Sequence, residues 1–161
     1  MLVPMRAILD AADKNGYAQG AFNVNAVCQV KAAVDVHQIL RSPAIIQGAD
    51  LANGFMGGRT DFANSTLEDK KAGAKNIGAA VKKYAADSDI PVALHLDHGK
   101  NFDSCIAAIE GGYTSVMIDG SSLPFDENVE LTREVVKYAH ERGVTVEGEL
   151  GVLAGVEDHV F

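Results

Sequence analysis

The residues best suited to chemistry in this sequence are two histidines and an aspartate in the segment His95-Leu96-Asp97-His98. Side chains alternate along a β-strand, so His95 and Asp97 are predicted to share a face. His98 lies at the turn toward Gly99, where its side chain can point toward the same ligand-binding end of the sheet. Neutral imidazole binds zinc well, and a neighbouring carboxylate can act as a general acid or base or hold a ring in one tautomer. This grouping at a strand end favours a functional site over structural core histidines.

A second group consists of three carboxylates, Asp119, Glu147 and Glu149. Glu147 and Glu149 are two residues apart and share a face if their strand is regular, and Asp119 ends the preceding strand. Carboxylates at close range raise one another's pKa unless a cation neutralises them, so a metal ion is a natural partner for this set. The alternative is a solvated strand end, or a glutamate that pairs with a lysine.

The elements that must position these groups alternate between short β-rich runs and longer helical stretches. Strands are predicted at 20–24, 44–46, 91–95, 115–118 and 144–150, and helices at 4–14, 26–40, 67–86, 102–110 and 128–141. The glycine-rich segment 48–65 is predicted to be irregular, and Ser65-Thr66-Leu67-Glu68 offers a capping box for the helix that follows. Every strand is followed by a crossover long enough for parallel pairing.

Repeated strand–helix units with continuous apolar strands predict an α/β protein whose parallel sheet is covered on both faces. Either a (β/α)8 TIM barrel or an open sheet of flavodoxin type fits this pattern, and both bind ligands beyond the carboxyl ends of their strands. A closed barrel usually takes about 250 residues and needs eight strands. Residues 1–161 are therefore predicted to form a single domain that covers about the first five β/α units of a barrel, with the open sheet as the alternative.

Composition limits the partners and the compartment. The chain has 14 Lys and Arg against 22 Asp and Glu, a formal net charge of −8, which argues against a nucleic-acid partner because phosphate binding relies on clustered cations. Cys28 and Cys105 show no metal-ligand spacing and are predicted to be small core residues, and His37 and His140 are predicted to be surface or partly buried residues. No window approaches the ~20 apolar residues of a membrane span, so we expect a soluble, cytoplasmic protein without a membrane partner.

Two motifs in this order resemble those of the class II, metal-dependent fructose-bisphosphate aldolases. The first is the apolar strand that ends in His-x-Asp-His, at 92–99, and the second is the Glu-x-Glu motif at 146–151, which continues to Glu157. Residues 20–25 and 116–121 also look like strand ends of that family. The resemblance covers essentially the whole chain but only the N-terminal part of the family's (β/α)8 barrel. It implies that two further histidine ligands and the main phosphate-binding loops belong to the rest of the barrel.

This resemblance implies reversible cleavage of fructose 1,6-bisphosphate to dihydroxyacetone phosphate and glyceraldehyde 3-phosphate. A divalent metal, usually Zn²⁺, acts in this family as the Lewis acid in place of a Schiff-base lysine. The resemblance also implies that His98 is a catalytic metal ligand, and that Asp119 and Glu149 form a second or alternative metal position.

The remaining roles are likewise implied by the resemblance. Asp97 matches the acid/base that acts on the C4 hydroxyl of the sugar, and Asn23 matches an asparagine that contacts the substrate. Glu157 matches a loop glutamate that exchanges the proton on the dihydroxyacetone phosphate carbon. The family is usually a homodimer or homotetramer.

Two alternatives stay open at this point. A tagatose-1,6-bisphosphate aldolase shares these motifs and differs in stereochemistry at one carbon, and a non-catalytic half-barrel could serve as a binding or assembly module. The isolated 161-residue chain is expected to be inactive, because zinc held by one histidine lacks the three protein ligands of a catalytic site.

Overall fold

The structure, a computed structural model, describes residues 1–152 of the chain. The strands are β1 (Ala21–Asn23), β2 (Ala44–Ala49), β3 (Val92–Gly99), β4 (Ser115–Ile118) and β5 (Thr145–Gly148). The α-helices are α1 (Met5–Asn15), α2 (Val27–Leu40), α3 (Asp50–Met56), α4 (Leu67–Ala86), α5 (Phe102–Glu110) and α6 (Phe125–His140), and a 3₁₀ turn spans Phe62–Asn64. Strands and helices alternate as the sequence predicts.

The five strands form one parallel sheet in the order β1-β2-β3-β4-β5. A flavodoxin-type sheet has the order 2-1-3-4-5, so the sequential order excludes that alternative and is the order of a (β/α)8 barrel. The predicted fold class, five β/α units of barrel type, is confirmed. Parallel pairing brings the carboxyl ends of all five strands to one edge of the sheet.

The central strands β2, β3 and β4 are largely buried on both faces, which explains their continuous apolar runs. Ile46 and Leu94 face the main core beneath α2, α4 and α5. Ile45 and Ala93, one position earlier on the same strands, face the other way and pack against α1. The period of two along β2 and β3 thus divides the core into two layers.

The segment predicted to be irregular contains α3 and the 3₁₀ turn, which is a correction to the sequence reading. Small residues let α3 approach α4 closely, because a side chain at Gly73 would place its Cβ 1.7 Å from the carbonyl oxygen of Asn53. A seven-residue helix has little stability of its own, and this packing supplies it. Glycine content alone gives no sign of such a tertiary contact.

Several boundaries also differ from the prediction. The capping box of α4 joins Thr66 and Asp69, one residue later than predicted, and α6 begins at Phe125, directly after Pro124. Both β2 and β3 continue past their predicted ends, to Ala49 and Gly99. Backbone pairing between neighbouring strands sustains these polar strand ends.

Three side chains outside the site also test the sequence reading. Cys105 is buried as predicted, but Cys28 is exposed, because it lies off the face of α2 that carries Val30 and Val34. His37, predicted to be at the surface or partly buried, is buried, and its ring packs edge-on against Phe22 with centroids 5.3 Å apart. None of the helices within residues 1–152 combines the length and apolar character needed to cross a membrane.

The edges of the sheet generate a first prediction. Within residues 1–152, β1 and β5 each pair with a single neighbouring strand, and large apolar side chains are exposed beside them, with Phe22 49% and Leu150 78% exposed. Unpaired edges and apolar patches favour association. We expect the 161-residue chain expressed alone to self-associate in sedimentation velocity experiments. A monomer that unfolds cooperatively would contradict this expectation.

Candidate metal centre

The site begins with an irregularity in β3. The pairing of β3 with β4 runs through Leu96↔Val116 and resumes at Gly99↔Ile118, so β3 contains one extra residue. His98 takes up this residue with a left-handed backbone, φ 53°. In a regular strand His98 would lie on the same face as Leu96, which is buried in the core; the bulge instead brings its ring to the carboxylates beyond β4 and β5.

Three potential metal ligands meet at this edge. His98 Nδ1 lies 2.9 Å from Asp119 Oδ2 and 3.6 Å from Glu149 Oε2, and one ligand atom from each of the three residues falls within 4.8 Å of the others. Donors placed about 2.0–2.2 Å from a tetrahedral Zn²⁺ are separated from one another by roughly 3.4 Å. The distances from His98 Nδ1 to Asp119 Oδ2 and to Glu149 Oε2 lie just below and just above this donor–donor separation. One imidazole nitrogen and two carboxylates are therefore a donor set that fits a divalent cation.

The electrostatics of the three residues are coupled. Burial would lower the pKa of His98, but the hydrogen bond to Asp119 and the charges of Asp97, Asp119 and Glu149 outweigh it, so that the pKa is raised. Burial would likewise raise the pKa of Asp119, whereas hydrogen bonds from Ser121 and His98 lower it. The site therefore favours a positive charge beside its carboxylates, which a metal ion also supplies.

Asp97 is held by a chain of amide hydrogen bonds. Gln47 Nε2 donates to Asn23 Oδ1 at 2.8 Å, and Asn23 Nδ2 donates to Asp97 Oδ2 at 2.9 Å. These hydrogen bonds cross β2, because Asn23 on β1 pairs with Gln47 on β2, and Gln47 pairs with His95 on β3. The first bond fixes the orientation of the Asn23 amide, so that its NH₂ group points at the carboxylate.

His95 lies deeper than the other site residues. Burial is the main cause that lowers the pKa of His95 to about 4, so the ring is neutral at pH 7. Its Nδ1 is hydrogen-bonded to Ser115 Oγ at 2.8 Å, and its Nε2 lies 3.4 Å from Glu147 Oε2. Burial and the charges of Asp97 and Glu149 raise the pKa of Glu147, against the effect of His98. Ser115 thus holds one nitrogen of the neutral His95 ring, and the other nitrogen faces Glu147, so His95 is suited to orienting the Glu147 carboxylate.

The structure places five of the six predicted site residues at the same edge of the sheet: Asn23, Asp97, His98, Asp119 and Glu149. The sixth, Glu157, lies outside the described residues. The sequence analysis gave no role to Ser115, Ser121 or Gln47. Serine and glutamine are common at strand ends, so these residue types alone do not indicate a role in a site.

A sequential parallel β/α sheet with a candidate metal site at its carboxyl edge defines the class, a TIM-barrel protein of which this chain forms the first five units. The family model described as "Fructose-bisphosphate aldolase class-II" matches residues 3–161. The chain belongs to the class II fructose-bisphosphate aldolase family.

Named relatives agree with this membership. The chain is 46% identical over 163 residues to the fructose-bisphosphate aldolase of Treponema pallidum, a match that covers 99% of this chain and 45% of that protein. It is 42% identical over 161 residues to the fructose-bisphosphate aldolase of Geobacillus stearothermophilus, with 99% and 51% covered. The chain spans about half the length of these curated relatives.

Solved structures share the fold of this chain. The YdjI aldolase of Escherichia coli K12 matches with a TM-score of 0.76 and 30% identity, over 94% of this chain and 51% of that one. The fructose-bisphosphate aldolase of Campylobacter jejuni matches with a TM-score of 0.79 and 24% identity, over 93% and 47%, a likeness that shows the fold.

The coupling between His98 and Asp119 generates a second prediction. In the metal-free full-length protein, Asp119→Asn should lower the pKa of His98, because it removes both a negative charge and the acceptor of a charged hydrogen bond. The pKa is measured from the imidazole ¹⁵N shifts during an NMR titration. Asp103→Asn, an exposed aspartate on α5, is the control and should leave the titration unchanged. An unchanged pKa in Asp119→Asn would show that the 2.9 Å contact does not form in solution.

Proposed function

We propose that the full-length protein containing this chain is a class II fructose-bisphosphate aldolase. It cleaves fructose 1,6-bisphosphate reversibly to dihydroxyacetone phosphate and glyceraldehyde 3-phosphate. The observation that carries the proposal is the meeting of His98, Asp119 and Glu149 beside Asp97 at one strand edge. Membership of the aldolase family and the names of the relatives support it.

We assign the metal ligands as His98, Asp119 and Glu149, and the ion as Zn²⁺, with the remaining ligands supplied by the rest of the barrel. The bound cation supplies Lewis-acid polarisation of the substrate carbonyl. His98 contributes its neutral imidazole, so that protons compete with the cation for this site. Asp119 and Glu149 add the negative charge that favours a divalent ion.

We assign proton transfer at the C4 hydroxyl to Asp97. Its side chain is 21% exposed, so the carboxylate is open to a substrate, while Asn23 and Gln47 fix its orientation from the other side. A general base must be within hydrogen-bond reach of its proton and must be held there. We also assign a substrate contact to Asn23, and its direct hydrogen bond to Asp97 supports this assignment.

The finer assignments are part of the same proposal. Glu157 exchanges the proton on the dihydroxyacetone phosphate carbon. The enzyme assembles as a homodimer or homotetramer. It acts on a phosphorylated sugar in the cytoplasm. Tagatose 1,6-bisphosphate differs from the proposed substrate at one carbon and is distinguished by assay. If the protein that contains this chain has no lyase activity, the alternative of a non-catalytic half-barrel is favoured.

The proposal is tested with the full-length protein and its intact mass. We expect a mass near twice 17.0 kDa, because the chain spans about half of its relatives, and fructose 1,6-bisphosphate cleavage that a chelator abolishes and Zn²⁺ restores. A coupled assay compares this activity with that on tagatose 1,6-bisphosphate. Faster cleavage of the tagatose compound would reassign the substrate, and a mass of 17.0 kDa without activity would refute the aldolase assignment.

Asp97→Asn provides a sharper test of the mechanism. Removal of a general acid or base typically slows catalysis by about 10²–10⁴-fold, and we expect a loss of that order in kcat. Zinc content should be unchanged, because Asp97 is not one of the three assigned metal ligands. Asp103→Asn is the matched control and should keep parent activity. An Asp97→Asn enzyme with parental kcat would exclude this role.

A further inference from the structure

Helix α6 connects the two strands whose ends carry Asp119 and Glu149, and its first turns contain a buried asparagine. Asn128 is 7% exposed, and its Nδ2 donates to the main-chain carbonyl oxygen of Glu149 at 2.7 Å. The bond joins residues 21 apart in sequence, so it does not serve the helix itself. The pairing of β5 with β4 ends at Gly148. Strand pairing with β4 therefore does not extend to the main chain of Glu149, and the hydrogen bond from Asn128 is a contact that can fix it.

The other side of the same amide contacts the loop after β4. A side chain at Gly120, the residue after Asp119, would place its Cβ 2.3 Å from Asn128 Oδ1, so only glycine leaves room for this asparagine. One turn further along α6, Thr132 Oγ1 donates to Asn128 Oδ1 at 3.3 Å. The Thr132 methyl group would lie 3.3 Å from a Cβ at Gly148.

One face of α6 thus touches the glycine next to each of two candidate ligands. Gly120 adjoins Asp119, and Gly148 adjoins Glu149. The amide of Asn128 lies between these two strand ends and is held by Thr132. Side-chain contacts behind a ligand fix the ligand's direction and contribute strongly to metal affinity.

We propose that Asn128 is a positioning residue for the metal centre, because its amide holds the Glu149 main chain so that the carboxylate faces His98 and Asp119. This inference rests on the proposed function, since it requires a metal at these ligands. Asn128 itself touches neither metal nor substrate in this assignment. Its effect reaches the site through the main chain of Glu149.

The test measures Zn²⁺ affinity of the metal-free full-length protein by competition with a chromophoric chelator, beside its unfolding temperature. Asn128→Ala and Asn128→Leu remove the donor, and the leucine variant keeps most of the side-chain volume. We expect both to weaken Zn²⁺ binding by about 10–100-fold. Asn76→Ala is the matched control, because the Asn76 amide donates to the carbonyl oxygen of Met56 at 2.8 Å, between α4 and α3. It should keep the parental affinity.

A double variant separates positioning from general loss of stability. In a Glu149→Gln background, Asn128→Ala should cost less than about twofold in Zn²⁺ affinity, because independent changes add and coupled ones do not. If the Asn128 variants do not fold, Thr132→Val, which keeps the shape and removes the hydroxyl that holds the amide, should weaken Zn²⁺ binding to a smaller extent.

The outcomes are distinct. A fall in unfolding temperature without a loss of affinity in the Asn128 variants, or in Thr132→Val where it replaces them, overturns the inference and leaves the aldolase proposal intact. The same holds if Asn128→Ala weakens binding equally with and without Glu149→Gln. If the parent protein binds no Zn²⁺, both the metal centre and the role of Asn128 are overturned.

Discussion

The candidate site depends on one extra residue in β3. A regular strand would turn His98 toward the helices on the Leu96 side, and the bulge returns it to the edge where Asp119 and Glu149 lie. A left-handed backbone at a residue with a Cβ costs roughly 1–2 kcal/mol, and histidine is among the residues that adopt it more often than most. Gly99 completes the bulge, since a Cβ there would be 2.7 Å from the Met117 carbonyl oxygen. The strain and the glycine are both consequences of placing two adjacent polar side chains in one site.

The same edge concentrates negative charge. Asp97, Asp119, Glu147 and Glu149 lie around the imidazole of His98, and the raised pKa of Glu147 reflects both its burial and the neighbouring carboxylates. Hydrogen bonds offset part of this repulsion, with Ser121 donating to Asp119 through its main-chain nitrogen at 3.1 Å and its hydroxyl at 2.6 Å. A divalent ion would offset the charge of these carboxylates and so stabilise the arrangement.

Of the three candidate ligands, His98 lies on β3, and Asp119 and Glu149 directly follow β4 and β5; β4 pairs with both β3 and β5. Their relative positions are therefore set by local strand pairing and by α6, and closure of a barrel is not needed to bring them together. The outer strands of the sheet depend on neighbours much more. Each of them pairs on one side only within the described part of the chain, and apolar side chains lie exposed next to them. Within residues 1–152 the three candidate ligands therefore lie toward the β5 side of a sheet whose edge strands each have one neighbour, as expected of half a barrel.

The sequence by itself predicted the alternation of strands and helices, the barrel-type fold and five residues of the candidate site, because apolar periodicity and two long motifs are local properties of the chain. It did not determine α3, the burial of His37 or the start of α6, since each depends on packing against distant residues. The bulge at His98, the amide chain from Gln47 to Asp97 and the contact of Asn128 with Glu149 were also decided by tertiary structure. Those features arise from register between strands and from space left by glycines, which are relations between separate segments and leave no pattern within any one of them.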